Sequence, residues 1–287
     1  MTPAGLVTPP GVVTPPGVVT PLLEVENLEV VYHHVATAIQ GVSLAVPPRS
    51  IVALLGTNGA GKTTTLRAIS GFLSADNAQV VGGRVAFLGE TVTGRPPHEL
   101  ARRGLVLVPE RDKVFETLTV QENLRALVRG RHAERDAARS LVTLEQVFHY
   151  FPVLAERGRQ LAGYLSGGER QMLALATALL CRPVVLLVDE LSLGLAPLVV
   201  ESLMTLVARL RDELGLAVLL VEQNAGAALG VANYGYVMEH GRIVYDGAAD
   251  RLLAHEDVRE FYLGVGRRDG RKRYTEVKQY QRRRRWF

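Results

Sequence analysis

The sequence has one cysteine and no long apolar run. Cys181 is the only thiol in 287 residues, so no disulfide bond can form within the chain. No stretch reaches the ~18 apolar residues of a membrane-spanning helix, and the best candidate, residues 172–188, is interrupted by Arg182 and Pro183. The N-terminus lacks the basic start and apolar core of a signal peptide. We therefore expect the chain to serve a membrane only through partner proteins.

The positive charge is confined to the C-terminal end. The formal net charge is +4, but residues 267–287 hold ten Arg or Lys and two acids, so the rest of the chain carries −4. An acidic folded part gives little support to nucleic-acid binding, and no nucleic-acid partner is expected. We predict that residues 266–287 form a basic tail, either solvated or attracted to anionic lipids.

The N-terminal segment differs in composition from the rest. Residues 5–21 repeat a six-residue unit of the type Gly-Val-Val-Thr-Pro-Pro, and proline blocks helix and most sheet positions. We predict that residues 1–21 are a disordered Pro/Gly-rich segment. The patterns of a folded domain begin after it.

Apolar strands alternate with helices along the folded part. Strands are predicted at 23–30, 41–46, Ile51–Leu55, 184–188, 217–221, 236–239 and 242–245, the last two forming a hairpin turned at His240-Gly241. Helices are predicted at Lys62–Ser70, Pro97–Arg103, Val120–Arg129, 133–148, 169–180, 198–214 and 246–263, with 95–180 mostly helical. Strands that are apolar throughout are typical of a mostly parallel sheet, so the fold class is α/β.

A glycine-rich motif follows the third strand. Its pattern, G-x-x-x-x-G-K-[ST], is that of a phosphate-binding loop. Glycines allow backbone amides to turn toward phosphates, and the following helix adds its positive N-terminal end. Lys62 is a point charge for the β- and γ-phosphates, and the Thr63 hydroxyl is a Mg²⁺ ligand. The predicted nucleotide-binding residues here are Gly56, Thr57, Asn58, Gly59, Ala60, Gly61, Lys62, Thr63 and Thr64.

Two acids end the apolar strand 184–188. Asp189 and Glu190 follow it directly, and on an extended chain adjacent side chains point in different directions. Beside a phosphate loop, Asp189 is predicted to hold Mg²⁺ and Glu190 to orient and polarise the attacking water. The alternative is a strand that simply ends at the solvent.

A Ser-Gly-Gly-Glu segment precedes an apolar helix. Ser166 with Glu169 three residues later fits a capping box. The alternative to a plain cap is an anion site built from a hydroxyl, glycine amides and a helix N-terminus.

These three motifs, in the chain order phosphate loop, Ser-Gly-Gly-Glu segment and acidic strand end, resemble those of ABC ATPases. The resemblance covers roughly residues 22–265 and implies a P-loop NTPase fold. That fold is an ABC-type nucleotide-binding domain with an N-terminal antiparallel β subdomain and an inserted helical subdomain at about 95–180. It also implies ATP hydrolysis, with ATP and Mg²⁺ as cofactors. Tyr32 matches the aromatic that stacks on adenine, the alternative being a surface strand tyrosine.

The resemblance further implies a site that is shared between two subunits. Ser166, Gly167 and Gly168 match the residues that contact the γ-phosphate bound to the other subunit. A second ATP-binding subunit is therefore expected, as a homodimer or a heterodimer.

Departures from the general family pattern resemble one subgroup. Glu110 stands where the family usually has a glutamine, and Gln223 where it has the switch histidine. Ala196 stands where the family usually has an aspartate, and Leu191 where it has a proline. Except for Leu191, these departures are similar to the sequence of the second ATPase subunit of importers for branched-chain amino acids. This implies membrane-spanning permease subunits, indirectly an extracytoplasmic solute-binding protein, and a place at the cytoplasmic face of the membrane.

Roles follow from the same resemblance. Lys62, Glu190 and Gln223 are the expected catalytic residues, and Thr63, Asp189 and Glu110 the expected metal ligands. The Gln223 amide can hydrogen-bond a γ-phosphate but cannot carry a positive charge. Three alternatives stay open: a urea or amide importer of the same subgroup, a soluble ABC ATPase, and a non-hydrolytic regulatory module.

Overall fold

A computed structural model describes residues 20–33, 35–110, 114–129 and 142–262. The proposed disordered segment 1–21 lies outside this range except for its last two residues. The basic tail 266–287 lies entirely outside it.

The described elements form an α/β fold with two sheets. The strands are β1 (Leu23–Tyr32), β2 (Ala36–Val46), β3 (Ile51–Leu55), β4 (Ala78–Phe87), β5 (Glu90–Thr91), β6 (Leu105–Val108), β7 (Val185–Asp189), β8 (Ala217–Glu222), β9 (Tyr234–Glu239) and β10 (Arg242–Ala248). The helices are α1 (Lys62–Ser70), α2 (Pro97–Arg103), α3 (Val120–Arg129), α4 (Leu144–Tyr150), α5 (Pro152–Glu156), α6 (Gly167–Leu180), α7 (Pro197–Leu214), α8 (Ala225–Leu229), α9 (Ala249–Ala254) and α10 (Glu256–Phe261). Short 3-10 turns lie at Leu73–Asp76 and Ala162–Tyr164.

The core sheet is parallel apart from one edge strand. Its order is β10-β9-β3-β8-β7-β6, and only β10 runs antiparallel to its neighbour. The smaller sheet, of order β2-β1-β4-β5, is antiparallel throughout. The predicted mostly parallel core and N-terminal antiparallel sheet are therefore both confirmed.

The third strand, β3, is buried on both of its faces. Ile51, Ala53 and Leu55 point into one apolar cluster, and Val52 and Leu54 point into the other. All five are fully buried, which explains the uninterrupted apolar run. A one-residue shift of β3 would exchange its side chains between the two packed clusters, so the register is fixed and the loop that follows starts from a fixed point.

Several helix predictions match the structure, and others are wrong. Helices α1, α2 and α3 have the predicted bounds. The predicted helix 133–148 is not continuous, because Thr143 is extended and caps α4 with a capping box to Gln146. Residues 133–141 lie outside the described range.

The prediction of the C-terminal helix is also wrong, whereas the described residues of 95–180 are mostly helical, as predicted. In place of one helix over 246–263, β10 continues to Ala248, and two short helices follow with a break at His255. The region 95–180 contains β6, a strand of the core sheet, and β4 was not predicted at all. Among the described residues, no helix has both the length and the apolar character needed to span a bilayer.

Candidate functional site

The loop between β3 and α1 is shaped by left-handed glycines. Gly59 and Gly61 have φ values of 80° and 106°, and α1 begins at Lys62. A Cβ on Gly61 would lie 2.8 Å from Ile39 Cδ1 and 2.9 Å from Met238 Cε. Only glycine therefore fits both the backbone conformation and the space. The loop brings the N-terminus of α1, with its unpaired amides, to the end of the parallel sheet.

The Lys62 ammonium is buried and bonded to oxygen atoms. Its side chain is 4% exposed, and Nζ donates to the carbonyls of Gly56 and Thr57 at 2.9 and 3.2 Å. Nζ also lies 3.2 Å from Oε1 of Glu190, forming a buried ion pair. A charge this deeply buried requires a partner, and the partner is the predicted catalytic carboxylate.

The predicted metal ligands lie together at the ends of β6 and β7 and the start of α1. Thr63 Oγ1 donates to Asp189 Oδ1 at 3.3 Å. Burial, together with the nearby carboxylates of Glu190 and Glu110, raises the pKa of Asp189 to about 6, against the lowering effects of the Thr63 hydrogen bond and of Lys62. Such a cluster of oxygen donors is stabilised by a cation, because a cation offsets both burial and like charge.

Glu190 has a left-handed backbone conformation with a φ of 47°. Its backbone amide donates to the Val221 carbonyl of β8 at 2.9 Å, which fixes this conformation. The turn directs Glu190 toward Lys62 while Asp189 bonds Thr63. The adjacent acids therefore have different partners, as predicted.

A cavity of about 810 Å³ opens in front of the loop. That volume is in the range of small-molecule sites. It is lined by residues from the phosphate loop, both sheets and the strand ends: Thr37, Ala38, Gln40, Asn58, Gly59, Gly61, Lys62, Thr63, Thr64, Glu110, Glu190, Leu193, His240 and Gly241. Asp189 accepts a hydrogen bond from the Thr63 hydroxyl, and the Gly56 and Thr57 carbonyls accept hydrogen bonds from Lys62 Nζ.

Tyr32 lies beside the cavity. Its hydroxyl is 3.2 Å from the Thr64 hydroxyl, at the first turn of α1. The ring is half-buried at the end of β1. This places an aromatic side chain next to the phosphate loop, and its stacking on a base stays a prediction.

Besides Tyr32, Gly56, Thr57, Ala60 and Asp189, four predicted residues do not line the cavity. Gln223 is exposed directly after β8. Ser166 is exposed and caps α6, accepting from Glu169 N while Glu169 accepts from Ser166 N, so the predicted capping box is confirmed. Gly167 and Gly168 form the first turn of the same helix. The N-terminus of α6 is therefore not part of the lining of this cavity.

The turn of the β9–β10 hairpin supports the phosphate loop. Gly241 N donates to the Ala60 carbonyl, and Gly241 O accepts from Gln40 N, both at 2.8 Å. The sequence predicted this turn but not its contact with the loop, because Ala60 and Gly241 are distant in sequence. His240 at the same turn also lines the cavity.

Replacing Gly241 by alanine is expected to destabilise the fold and weaken nucleotide binding. The new Cβ would overlap the Ala38 carbonyl oxygen, a backbone atom, at a φ of 78°. We expect a loss of about 3 kcal/mol or more in the free energy of unfolding, measured by denaturant unfolding. Gly89→Ala is the matched control, since Gly89 has the same φ of 78° and nothing within 4 Å. It should lose only about 1 kcal/mol, and equal losses in the two variants would contradict the contact.

Glu222 is a buried carboxylate that the sequence analysis missed. It ends β8 and is fully buried. Its Oε1 accepts from Ser192 N at 3.0 Å and its Oε2 from Ser192 Oγ at 2.5 Å. Burial raises the pKa of Glu222 to about 7, against the lowering effect of the Ser192 bonds.

Comparison with families of known proteins gives one clear match. The family model described as ABC transporter matches residues 39–192. This span begins in β2 and ends just after Glu190, so it includes the phosphate loop, the α6 N-terminus and the acidic strand end.

Two curated proteins are similar over most of their length. The chain is 41% identical over 233 residues to the high-affinity branched-chain amino acid transport ATP-binding protein BraG of Pseudomonas aeruginosa, covering 81% of this chain and 96% of BraG. It is 37% identical over 220 residues to the probable branched-chain amino acid transport ATP-binding protein LivF of Archaeoglobus fulgidus, covering 77% of this chain and 89% of LivF.

A solved structure shares the fold. It is the ADP conformation of an ATP-binding cassette of an ABC transporter, with a TM-score of 0.71 and 27% identity. The match covers 86% of this chain and all of the other.

Proposed function

Since the chain belongs to the ABC transporter family, we propose that it is the ATP-hydrolysing subunit of an importer for branched-chain amino acids or related small polar solutes. The family's ATP-binding proteins are ATPases, and its domain binds nucleotide. The observation that carries the proposal is the buried contact between Lys62, in the glycine-rich loop, and Glu190. The 41% identity to BraG supports the choice of solute.

The triphosphate of ATP is proposed to lie along the phosphate loop. Backbone amides of the loop and of the α1 N-terminus donate to the phosphate oxygens. Lys62, buried at the base of the cavity, pairs with the terminal phosphates. Tyr32, beside Thr64, is placed to support the adenine ring by stacking, which contributes about 1–3 kcal/mol per base.

The donor set of the site fits Mg²⁺. Thr63 Oγ1 and Asp189 Oδ1 are 3.3 Å apart, Glu110 lines the same cavity, and all three are hard oxygen donors. When bound with ATP, Mg²⁺ would neutralise charge on the phosphates. Among the described residues, no cluster of three His, Cys, Asp or Glu side chains forms a metal site, and Mg²⁺ sites commonly need substrate phosphates to complete them.

Glu190 is proposed to act as the base that orients the attacking water. Its carboxylate is bonded to Lys62 in the structure described. A γ-phosphate that takes over Lys62 as its partner leaves the carboxylate free to accept a proton from water. Lys62 then neutralises charge that develops on the phosphate.

A second copy, or a related subunit, is proposed to complete the site. The cavity is lined by the phosphate loop but not by Ser166, Gly167 or Gly168. Their helix N-terminus is an anion-binding end that does not line the cavity of its own chain. A two-fold arrangement brings each such end to the partner's γ-phosphate. Gln223, exposed beside the strand ends, is proposed to reach the same phosphate.

Membrane-spanning permease subunits are proposed to dock on the helical region. Phe115 and Tyr164 are 63% and 77% exposed, and Leu161 is 38% exposed. The two segments that carry these side chains run side by side, since Thr119 forms a bridge with Leu161 and Gly163 N donates to Glu116 O at 3.0 Å. An exposed apolar group of this kind marks a protein contact. Docking there would place the chain at the cytoplasmic face of the membrane.

The proposal is tested on a complex of this chain with the permease and solute-binding proteins encoded by genes next to its own. We expect the permeases to co-purify with this chain, and leucine-loaded binding protein to stimulate ATP hydrolysis about tenfold, since a ligand acts through its differential affinity for two states. The same measurement with urea-loaded binding protein tests the alternative solute. Hydrolysis that no solute alters, in a chain that binds no permease, would refute the importer assignment.

A further inference from the structure

The residues after Glu190 form a loop that is held at one buried point. We call residues 191–196 the post-catalytic loop. Its second residue, Ser192, donates two hydrogen bonds to the fully buried carboxylate of Glu222, at 3.0 and 2.5 Å. The Leu191 amide also hydrogen-bonds this carboxylate. The loop is thus attached to the end of β8 by side-chain contacts that span thirty residues of sequence.

The same strand end also holds Glu190. Val221, one residue before Glu222, accepts a hydrogen bond from Glu190 N at 2.9 Å and is aligned with Asp189 across the sheet. Two consecutive residues of β8 therefore fix the backbone of Glu190 and the start of the loop that follows it. A shift of Glu222 would move both.

The post-catalytic loop touches two surfaces that the proposed function uses. Leu193 is half-exposed and lines the nucleotide cavity of its own chain. Leu195 packs against the first turn of α6, where a Cβ on Gly167 would lie 2.9 Å from Leu195 Cδ2. Gly167 belongs to the helix end proposed to serve the partner's nucleotide. The loop therefore joins one chain's cavity to the surface that acts on the other cavity.

We propose that Glu222 is a positioning residue for hydrolysis: through Ser192 it fixes the post-catalytic loop, and so aligns Glu190 with its own cavity and the α6 end with the partner's. This inference rests on the proposed function, because it requires two sites that share α6 ends. A carboxylate that is buried at a desolvation cost is held by the groups that bond it, and here those groups belong to the loop.

The test uses Ser192→Ala and Glu222→Gln in the full chain, in the same purified complex. Gln retains the volume of Glu and one oxygen acceptor, but its amide nitrogen cannot accept the second Ser192 bond. We expect either change to lower kcat for Mg-ATP about tenfold to a hundredfold, because misplacement by about 1 Å is enough for such a loss. The KM for ATP should stay within about twofold, since the phosphate loop is untouched.

Three further variants separate positioning from stability. Ser192→Thr keeps both donors and should retain kcat within about twofold of wild type. The double variant Ser192→Ala/Glu222→Gln should be no worse than the worse single change, because both remove one interaction. Tyr234→Phe removes a hydrogen bond to Asp246 elsewhere in the sheet and should leave kcat unchanged even if it lowers Tm.

Three results would overturn the inference. One is unchanged kcat in both Ser192→Ala and Glu222→Gln. The second is a double variant whose losses are additive. The third is a fall of both kcat and nucleotide affinity that follows the loss of Tm, with Tyr234→Phe showing the same fall for the same loss of Tm. A wild-type complex that does not hydrolyse Mg-ATP would refute the proposed function instead.

Discussion

Glu190→Gln is expected to lower ATP turnover by at least about a hundredfold, because a general base contributes 10²–10⁴-fold. Glutamine has the same shape but cannot accept a proton from water. The substitution also removes the ion partner of Lys62, which the phosphate replaces when ATP binds. Affinity for Mg-ATP should therefore be retained or increased. Steady-state hydrolysis and equilibrium binding of Mg-ATP on the same preparation measure the two effects separately.

A matched control for this change is Glu201→Gln. Glu201 is an exposed carboxylate on α7, a helix that follows the post-catalytic loop. Its replacement makes the same change in charge and should alter turnover by less than about twofold. Turnover that survives in Glu190→Gln at the wild-type rate would remove Glu190 from the mechanism.

Ser166→Ala is expected to reduce hydrolysis by about tenfold or more, the size of effect seen when a donor to a developing negative charge is lost. Binding of Mg-ATP to a single chain should be unaffected, since Ser166 does not line the cavity. Lys62→Ala provides the contrast, because it should abolish binding and hydrolysis together. The two variants divide the site into a part that captures nucleotide and a part that reacts with it only after association. Nucleotide titration and hydrolysis assays at several protein concentrations test this division.

The chain supplies its own control for the loss of the helix cap. Thr143 caps α4 with the same kind of capping box, completed by Gln146. Thr143→Ala should cost about 1 kcal/mol of stability, as should Ser166→Ala. Only Ser166→Ala should lose activity. A similar loss of hydrolysis in both variants would reduce the role of Ser166 to holding its helix.

Local patterns were sufficient to predict the parts of the site that carry recognisable motifs. The bounds of α1 and the burial of β3 followed from glycines at one end and an apolar run at the other. The meeting of Thr63 with Asp189 followed from the motif types, because parallel strands end at the same edge of a sheet. The capping box at Ser166 was predictable because Ser166 and Glu169 have the spacing of that motif.

Other elements gave weaker or conflicting local signals. The strand β4 contains Gly82 and Gly83, and it pairs with β1 through shifts in register near Asn27, so it has no clean alternation. The strand β6 is only four residues long and lies between helices. The start of α4 could have been found, since Thr143 and Gln146 have the spacing of a capping box.

Two other long-range contacts left no trace in the sequence. The bonds between Glu222 and Ser192 join residues that are thirty positions apart, and neither residue type is unusual in its place. The contact of Gly241 with Ala60 is still more distant. In both cases the sheet order decides which residues meet, and that order is a property of the whole fold.

In the proposed mechanism, the buried pair of Lys62 and Glu190 makes nucleotide capture and activation of the base a single event. The γ-phosphate that takes Lys62 as its partner also releases the carboxylate that orients water. A diphosphate has no γ-phosphate with which to compete for Lys62, so ADP would leave the pair intact. The site would thereby distinguish ATP from ADP by the very group that is to be cleaved.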